Sequence, residues 1–267
     1  MRFALMVVLM AAVAAAQDDG KKQDPVKAVR DDAAKALKAT AAKGAFAFEG
    51  EATTDFSEEL GGVVVDGFYG GIKGKISGTA TSGFKAAFRA KSDKATYEAW
   101  HDKKTVERMT WRGLGQTPGD AANDILSLVD FEKLAGAVGK AKEGKAGDGK
   151  LGDEACKTYQ VVLGPEAIST YLDAPDADED GGGAMMDFGL AATRIELKLW
   201  VGSDGLVRKI EAKVVKGMSM NPADGEEEEE QEEGMGELMS STYTFTFSKF
   251  GETKVEIPDD IRELMKK

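Results

Sequence analysis

One histidine and one cysteine bound the nucleophilic chemistry open to this chain. His101 stands beside Asp102 in a turn between two strand-like runs, with no nucleophile at a recognisable spacing, and it reads as a surface side chain. Cys156 lies in a strand-like stretch without a second thiol and reads as a small buried hydrophobe. There is no phosphate-binding loop and no dinucleotide fingerprint, and glycines such as Gly70, Gly71 and Gly74 suit turns and strand bends. Carboxylates are plentiful, but they fall in acidic runs where nothing would desolvate them and shift their pKa values. These observations exclude the familiar hydrolase and nucleotide-dependent patterns and point to a non-enzymatic chain.

One constellation has the spacing of a metal site. Asp176, Asp178 and Asp180 place carboxylates at positions 1, 3 and 5 of a loop, with Gly181 at 6 and Asp187 at 12, as in a calcium loop. Against that pattern, Gly183 stands where an apolar residue is usual, Asp187 is shorter than a bidentate glutamate, and Pro175 precedes the loop. A strand also follows it where a helix would be expected. The residues therefore leave two readings, calcium held by Asp176, Asp178, Asp180 and Asp187, or a solvated acidic loop. Further along, residues 226 to 233 hold seven glutamates in eight positions, which repel one another and bury nothing. Met218, Met220, Met235 and Met239 flank that run, and Met185 and Met186 sit near the first loop. Thioethers can bind Cu(I), and they are equally adaptable hydrophobes suited to a lid over an apolar cleft.

The formal charge of −12 at pH 7 is concentrated in two windows. Residues 173–187 hold six acids and residues 224–237 hold nine, with no base in either; outside them, acids and bases nearly balance. Local acidity of this kind disfavours nucleic acid and anionic lipid as partners of those loops.

The first residues carry a different signal. Arg2 gives a short positive region, Phe3 to Val13 an uncharged apolar run, and Ala14 to Ala16 small residues before a polar start at Gln17, which is the pattern of a secretory signal peptide over residues 1–16. The run is too short to span a bilayer, for which about 20 apolar residues are needed. No cysteine stands at the cleavage point to take a lipid anchor. The expected location is the periplasm or the extracellular space, free in solution, and a lone cysteine leaves the fold to be held by its core. A hydrophobic content of 42% over about 250 mature residues is enough for one such core.

The elements that must build it are legible in the periodicity. After Asp24 and Pro25, a helix-start pair, Val26, Val29, Ala33, Ala36 and Leu37 form one stripe over residues 25–43 with charged residues opposite. Period two follows: Phe46, Phe48, Gly50 and Ala52, then Phe84, Ala86, Phe88 and Ala90, then Tyr97, Ala99, Met109 and Trp111, as in an antiparallel meander with one wet face. Residues 119–143 turn helical, as two short helices, and a Gly- and Lys-rich loop is expected through Lys150. Strand pattern returns at 157–163, Pro165 opens a helical turn or two, and Ile195, Leu197, Leu199 and Val201 lead through Ser203, Asp204 and Gly205 into Leu206, Ile210, Ala212 and Val214 as a hairpin. Tyr243, Phe245 and Phe247 share a face of a last strand, followed by a short strand-like run at 254–257 and a helix from Pro258. With no internal repeat and no linker, residues 17–267 are expected to form a single domain with acidic loops at 173–187 and 219–237. The fold class expected is α+β: a bent antiparallel sheet, a half-open barrel of roughly eight to eleven strands, with an N-terminal helix and inserted helices on its concave face.

That order of elements resembles the lipoprotein-carrier superfamily, the LolA-like periplasmic carriers and the LppX and LprG-type lipid-binding proteins of mycobacteria. The resemblance rests on the export signal, the N-terminal amphipathic helix, the meander, the central helical insertion and the closing hairpin from Leu199 to Arg208. It continues through Thr244 to Gly251 and Val255 to Pro258. It covers most of the mature chain. It implies a half-open barrel whose concave apolar surface, partly plugged by helices, shelters acyl chains. This sequence departs from the family in lacking the anchor of the mycobacterial members and in carrying two acidic insertions, and no functional arginine of the carriers maps onto it. The function implied is carriage of a lipid, amphiphile or lipidated partner, with Phe84, Phe88, Ile195, Leu197, Leu199, Tyr243, Phe245 and Phe247 as the candidate ligand face. The alternative is a structural or interaction protein of the cell envelope whose cleft is filled by its own helices.

Overall fold

A computed structural model describes residues 24–56, 74–81, 85–91, 95–111, 119–169, 190–218 and 239–266. The signal segment, both acidic loops and Phe84 lie outside these residues.

Helix α1 (Pro25–Ala41) begins where the Asp24 and Pro25 pair places it. The Asp24 carboxylate accepts from the Val26 N–H at 3.0 Å, and proline occupies a first-turn position whose N–H would have no partner in any case. Val29, Ala33, Ala36 and Leu37 are buried as the stripe requires, and Thr40 and Ala41 extend it. Thr40 ties the end of the helix to the sheet. Its hydroxyl donates to the Ala36 carbonyl at 2.8 Å and accepts from the Val207 N–H at 2.9 Å, so a buried backbone donor is satisfied by a side chain 167 residues away.

Ten strands follow: β1 (Phe46–Phe56), β2 (Gly74–Thr81), β3 (Lys85–Lys91), β4 (Ala95–Asp102), β5 (Lys104–Trp111), β6 (Glu143–Leu151), β7 (Glu154–Leu163), β8 (Leu190–Val201), β9 (Val207–Met218) and β10 (Met239–Ser248). They form one antiparallel sheet in the order β5-β4-β3-β2-β1-β10-β9-β8-β7-β6. The first and last strands pair in the middle, and a meander runs from each to an edge. Because β5 and β6 are opposite edges that do not pair, the sheet stays an open half-barrel. The chain leaving β5 must therefore cross to the other side before β6 can form, and helices α2 (Gly119–Val129) and α3 (Phe131–Val138) lie on that crossing. Helix α4 (Pro165–Ser169) packs against β7 and β8, and α1 packs against α3, β6, β7 and β9. The core lies between these helices and the inward set of every strand from β1 to β4 and β7 to β10.

Three features depart from the sequence-based expectation. The Gly- and Lys-rich stretch expected as a loop is strand β6, paired with β7 along its whole length. Its glycines are what the pairing needs: a Cβ on Gly144 would meet Val29 of α1 at 3.0 Å, and one on Gly149 would meet Thr158 at 2.8 Å. Residues 254–257 are not a strand, although Ile257 is buried and Val255 packs beside it. Lastly, α5 (Asp259–Met265) does not join the other helices. Ala87, Trp100 and Val106 stand opposite one another across β3, β4 and β5, out of phase with the inward set Ala86, Phe88, Tyr97 and Ala99, and Ile257 and Ile261 cover them as a second, smaller core on the outer face. Arg108 pins α5 there through Asp260 at 2.8 Å and holds that carboxyl below its usual range.

Candidate functional site

The structure brings the candidate apolar face together and covers it. Phe88, Ile195, Leu197, Leu199, Tyr243, Phe245 and Phe247 all lie on the concave side of the sheet, each no more than 5% exposed. Phe48 meets Phe245 edge to face at 5.6 Å, and Phe131, the first residue of α3, stacks on Phe46 at 4.7 Å and meets Phe247 at 5.0 Å. Such offset and edge-on contacts are the favoured geometries of aromatic pairs. A residue of the crossing segment thus occupies part of the surface that the sequence offered to a guest. Phe84 and the calcium candidates Asp176, Asp178, Asp180 and Asp187 lie outside the described residues.

Within this apolar layer sits a polar group that sequence reading missed. Asp124 of α2 accepts from the Tyr243 hydroxyl at 2.9 Å and pairs with Lys216 of β9 at 3.1 Å, all three being buried. The signal was present in the strand: Lys216 continues the inward set of Ile210, Ala212 and Val214, so a period-two reading of β9 already points its side chain inward. In the same layer, toward the β5 edge of the sheet, the buried Tyr97 hydroxyl faces Glu107. Burial and that neighbouring negative charge push its pKa far up, so it stays a hydroxyl.

Asp32, Lys35, Ala36 and Ala39, a second stripe of α1, face the tips of β6, β7 and β8 across a cleft of about 950 Å³. Its floor is apolar: Ala36, Tyr159 and Val201 are each 6% exposed, and Tyr159 and Val201 belong to the main core. Its walls are charged, with Lys35, Lys150 and Lys157 against Asp32, Asp148 and Asp204. Of these, Asp204 is paired with Arg208 at 2.8 Å, and the other five make no ion pair among the described residues. Burial, with Asp32 nearby, pushes the Tyr159 hydroxyl pKa up and keeps that group a donor. The turn that closes the cleft uses Gly205 at φ +78°, a left-handed backbone that glycine adopts without strain. The cleft could not be read from the sequence, because it is assembled from separate elements and one of them, β6, has the composition of a loop.

The two lone reactive side chains lie apart from one another and are quiet. Cys156 is buried, and burial pushes its thiol pKa up, away from the reactive thiolate. His101 is half-buried at the end of β4, where its Nδ1 lies 2.9 Å from the Thr105 hydroxyl and burial lowers its pKa. Among the described residues no group of three or more His, Cys, Asp or Glu side chains is placed to hold a metal ion. No described helix is long and apolar enough to cross a membrane, which does not bear on strands. What the cleft offers is an apolar floor beneath a charged rim, an arrangement fitted to a molecule with a greasy part and a polar part.

No family model matches the chain, and no curated protein matches it. Similar solved structures include LprF from Mycobacterium bovis, 13% identical with a TM-score of 0.44, where the match covers 88% of this chain and 97% of that one. Another is the Mycobacterium tuberculosis lipoprotein LppX, 11% identical with a TM-score of 0.41, covering 88% and 100%. A LolA superfamily protein from Nitrosomonas europaea, NE2245, is 11% identical with a TM-score of 0.25, covering 88% and 96%. Likeness at this level carries no argument about what the chain binds, which has to come from the cleft.

Proposed function

We propose that this chain is an exported, non-enzymatic carrier that shelters the apolar part of a lipid, an amphiphile or a lipidated partner in its half-open barrel. The observation that carries the reading is the cleft of about 950 Å³ whose floor is continuous with the core. That volume lies at the upper end of the roughly 300–1,000 Å³ usual for small-molecule sites. Each methylene moved from water onto such a floor is worth about 0.8 kcal/mol, so a guest with a long chain has reason to enter and a polar metabolite has little. The candidate ligand face supports the reading as the inner surface along which a chain would continue if the crossing helices made room.

A second reading is favoured by a specific observation. Every described residue of the candidate apolar face is already packed at 5% exposure or less. A protein of the cell envelope could keep this fold for its outer surface and fill the barrel with α2 and α3. The two readings part in one experiment. Protein purified from its native compartment is extracted with organic solvent, and the extract is examined by mass spectrometry. A carrier yields an acyl-containing species at close to one per chain; a clean extract sinks the carrier reading and leaves the self-filled barrel.

A further inference from the structure

Strand β6 ends the sheet on one side, and its outer edge is regular enough to pair. The turn to β7 is two residues long, Gly152 and Asp153, with Gly152 at φ +61°, which makes Leu151 and Glu154 a hydrogen-bonded pair. Bonded and non-bonded pairs alternate from there, so the N–H and C=O groups of Gly144, Ala146, Asp148 and Lys150 point away from β7, toward the free edge. Sheet edges are usually blunted by a proline, a bulge or a covering element. Strand β6 has no proline, its register with β7 runs without a shift, and Lys145 to Asp148 and Lys150 are exposed. Three glycines in nine residues keep its profile low. Charge is the remaining protection, and the order of the charges makes it selective. Asp148 and Lys150 share the concave face, both stand at the cleft, and neither makes an ion pair among the described residues, although Lys157 of β7 lies opposite Asp148.

We propose that this edge pairs with the same edge of a second copy of the chain, antiparallel about a two-fold axis at Gly149, to form a weak homodimer with one continuous sheet. In such a pair, residues set opposite one another lie on the same face of the sheet. With Gly149 opposite itself, Asp148 of each copy faces Lys150 of the other, so the pairing makes two reciprocal ion pairs and satisfies the edge-facing backbone groups of both residues. Moving the axis by one residue either way sets Asp148 against Asp148 or Lys150 against Lys150, and like charges directly opposite are destabilising. The edge therefore accepts a second copy in one register and opposes the adjacent ones. A two-fold axis normal to a sheet keeps its faces, so the two clefts would open side by side on the same face. An isologous contact of this kind closes at two copies. The inference does not depend on what the cleft carries.

Sedimentation equilibrium of the purified protein over a range of concentrations at low ionic strength tests this. A reversible equilibrium between monomer and dimer is expected, weakened by added salt because the ion pairs lie at an exposed edge. Asp148→Lys and Lys150→Asp, each made alone, turn both reciprocal pairs into like-charge pairs and are expected to raise the dissociation constant at least about tenfold, a difference of about 1.4 kcal/mol. The double variant Asp148→Lys, Lys150→Asp exchanges the signs and should recover the dimer, with circular dichroism showing that all the variants are folded. A protein that stays monomeric at every concentration overturns the proposal. So does a dimer that both single variants form as readily as the unaltered chain, or a folded double variant that fails to recover it.

Discussion

Replacing Lys216 by methionine is expected to lower folding stability by about 3–5 kcal/mol, because it leaves the Asp124 carboxylate buried without its cation. The pair joins α2 to β9 within the core, and the Tyr243 hydroxyl also donates to the carboxylate. Neutral hydrogen bonds do not replace the countercharge of a desolvated carboxylate. The companion experiment is the double change Asp124→Leu with Lys216→Met. With both charges gone the desolvation cost goes too, so the double variant should recover most of the loss, as replacement of buried ion pairs by apolar residues commonly does. Chemical denaturation of the three proteins measures this directly. A double variant no more stable than Lys216→Met alone would mean that the pair is not an isolated charge compensation and that α2 is held by something else.

The second large effect concerns a residue with no side chain. Gly50 of β1 lies opposite Phe245 of β10, and a Cβ there would fall 1.8 Å from the Thr244 carbonyl oxygen and 2.8 Å from the Phe245 ring. The obstacle is backbone of the neighbouring strand, which can give way only by opening the pairing of β1 with β10, the pairing that holds the two meanders together. Gly50→Val is therefore expected to cost at least about 3 kcal/mol, beyond the usual range for overpacking, or to prevent folding. Gly78, where a Cβ would lie 2.6 Å from the tip of the Phe48 ring and 2.5 Å from the Phe88 Cβ, should respond in the same direction. Gly136 provides the contrast. It is exposed on α3, and a Cβ added there would have nothing within 4 Å, so Gly136→Ala should stabilise the chain by about 0.5–1 kcal/mol. Thermal melts of Gly50→Val and Gly136→Ala should move in opposite directions, and a neutral Gly50→Val would contradict the packing described for the middle of the sheet.

Much of this architecture is legible in the residues, and the reasons for the exceptions are physical. The stripe of α1, the meander, the hairpin around Gly205 and the two helices of the crossing all follow from apolar spacing, because each buries one face against the same core. Strand β6 escapes that logic. It is an edge strand with exposed side chains on both faces, so its sequence bears no apolar alternation, and only its pairing with β7 makes it a strand. Residues 254–257 show the converse, where Val255 and Ile257 alternate because they pack with Trp100, and they pair with no strand among the described residues. The candidate apolar face was readable as a face, since Phe245, Phe247, Leu197 and Leu199 lie where period two puts them. Whether a guest or the chain's own helices cover it is a tertiary question that no spacing answers. The charged cleft was beyond reach for the same reason, being assembled from α1, β6, β7 and the turn after β8, which are far apart in sequence.

The most direct test of the central claim is to see where an acyl chain goes. A lysophosphatidate carrying a photoactivatable diazirine midway along its chain is bound to the full protein and irradiated, and the adducts are mapped by peptide mass spectrometry. The expected adducts fall on the concave side, at Ala36 and Ala39 of α1, at Tyr159 and at Val201, with carry-through to the neighbouring inward residues of β8. Adducts confined to the outer face around Trp100 and α5, or no labelling above that of the unfolded chain, would contradict it.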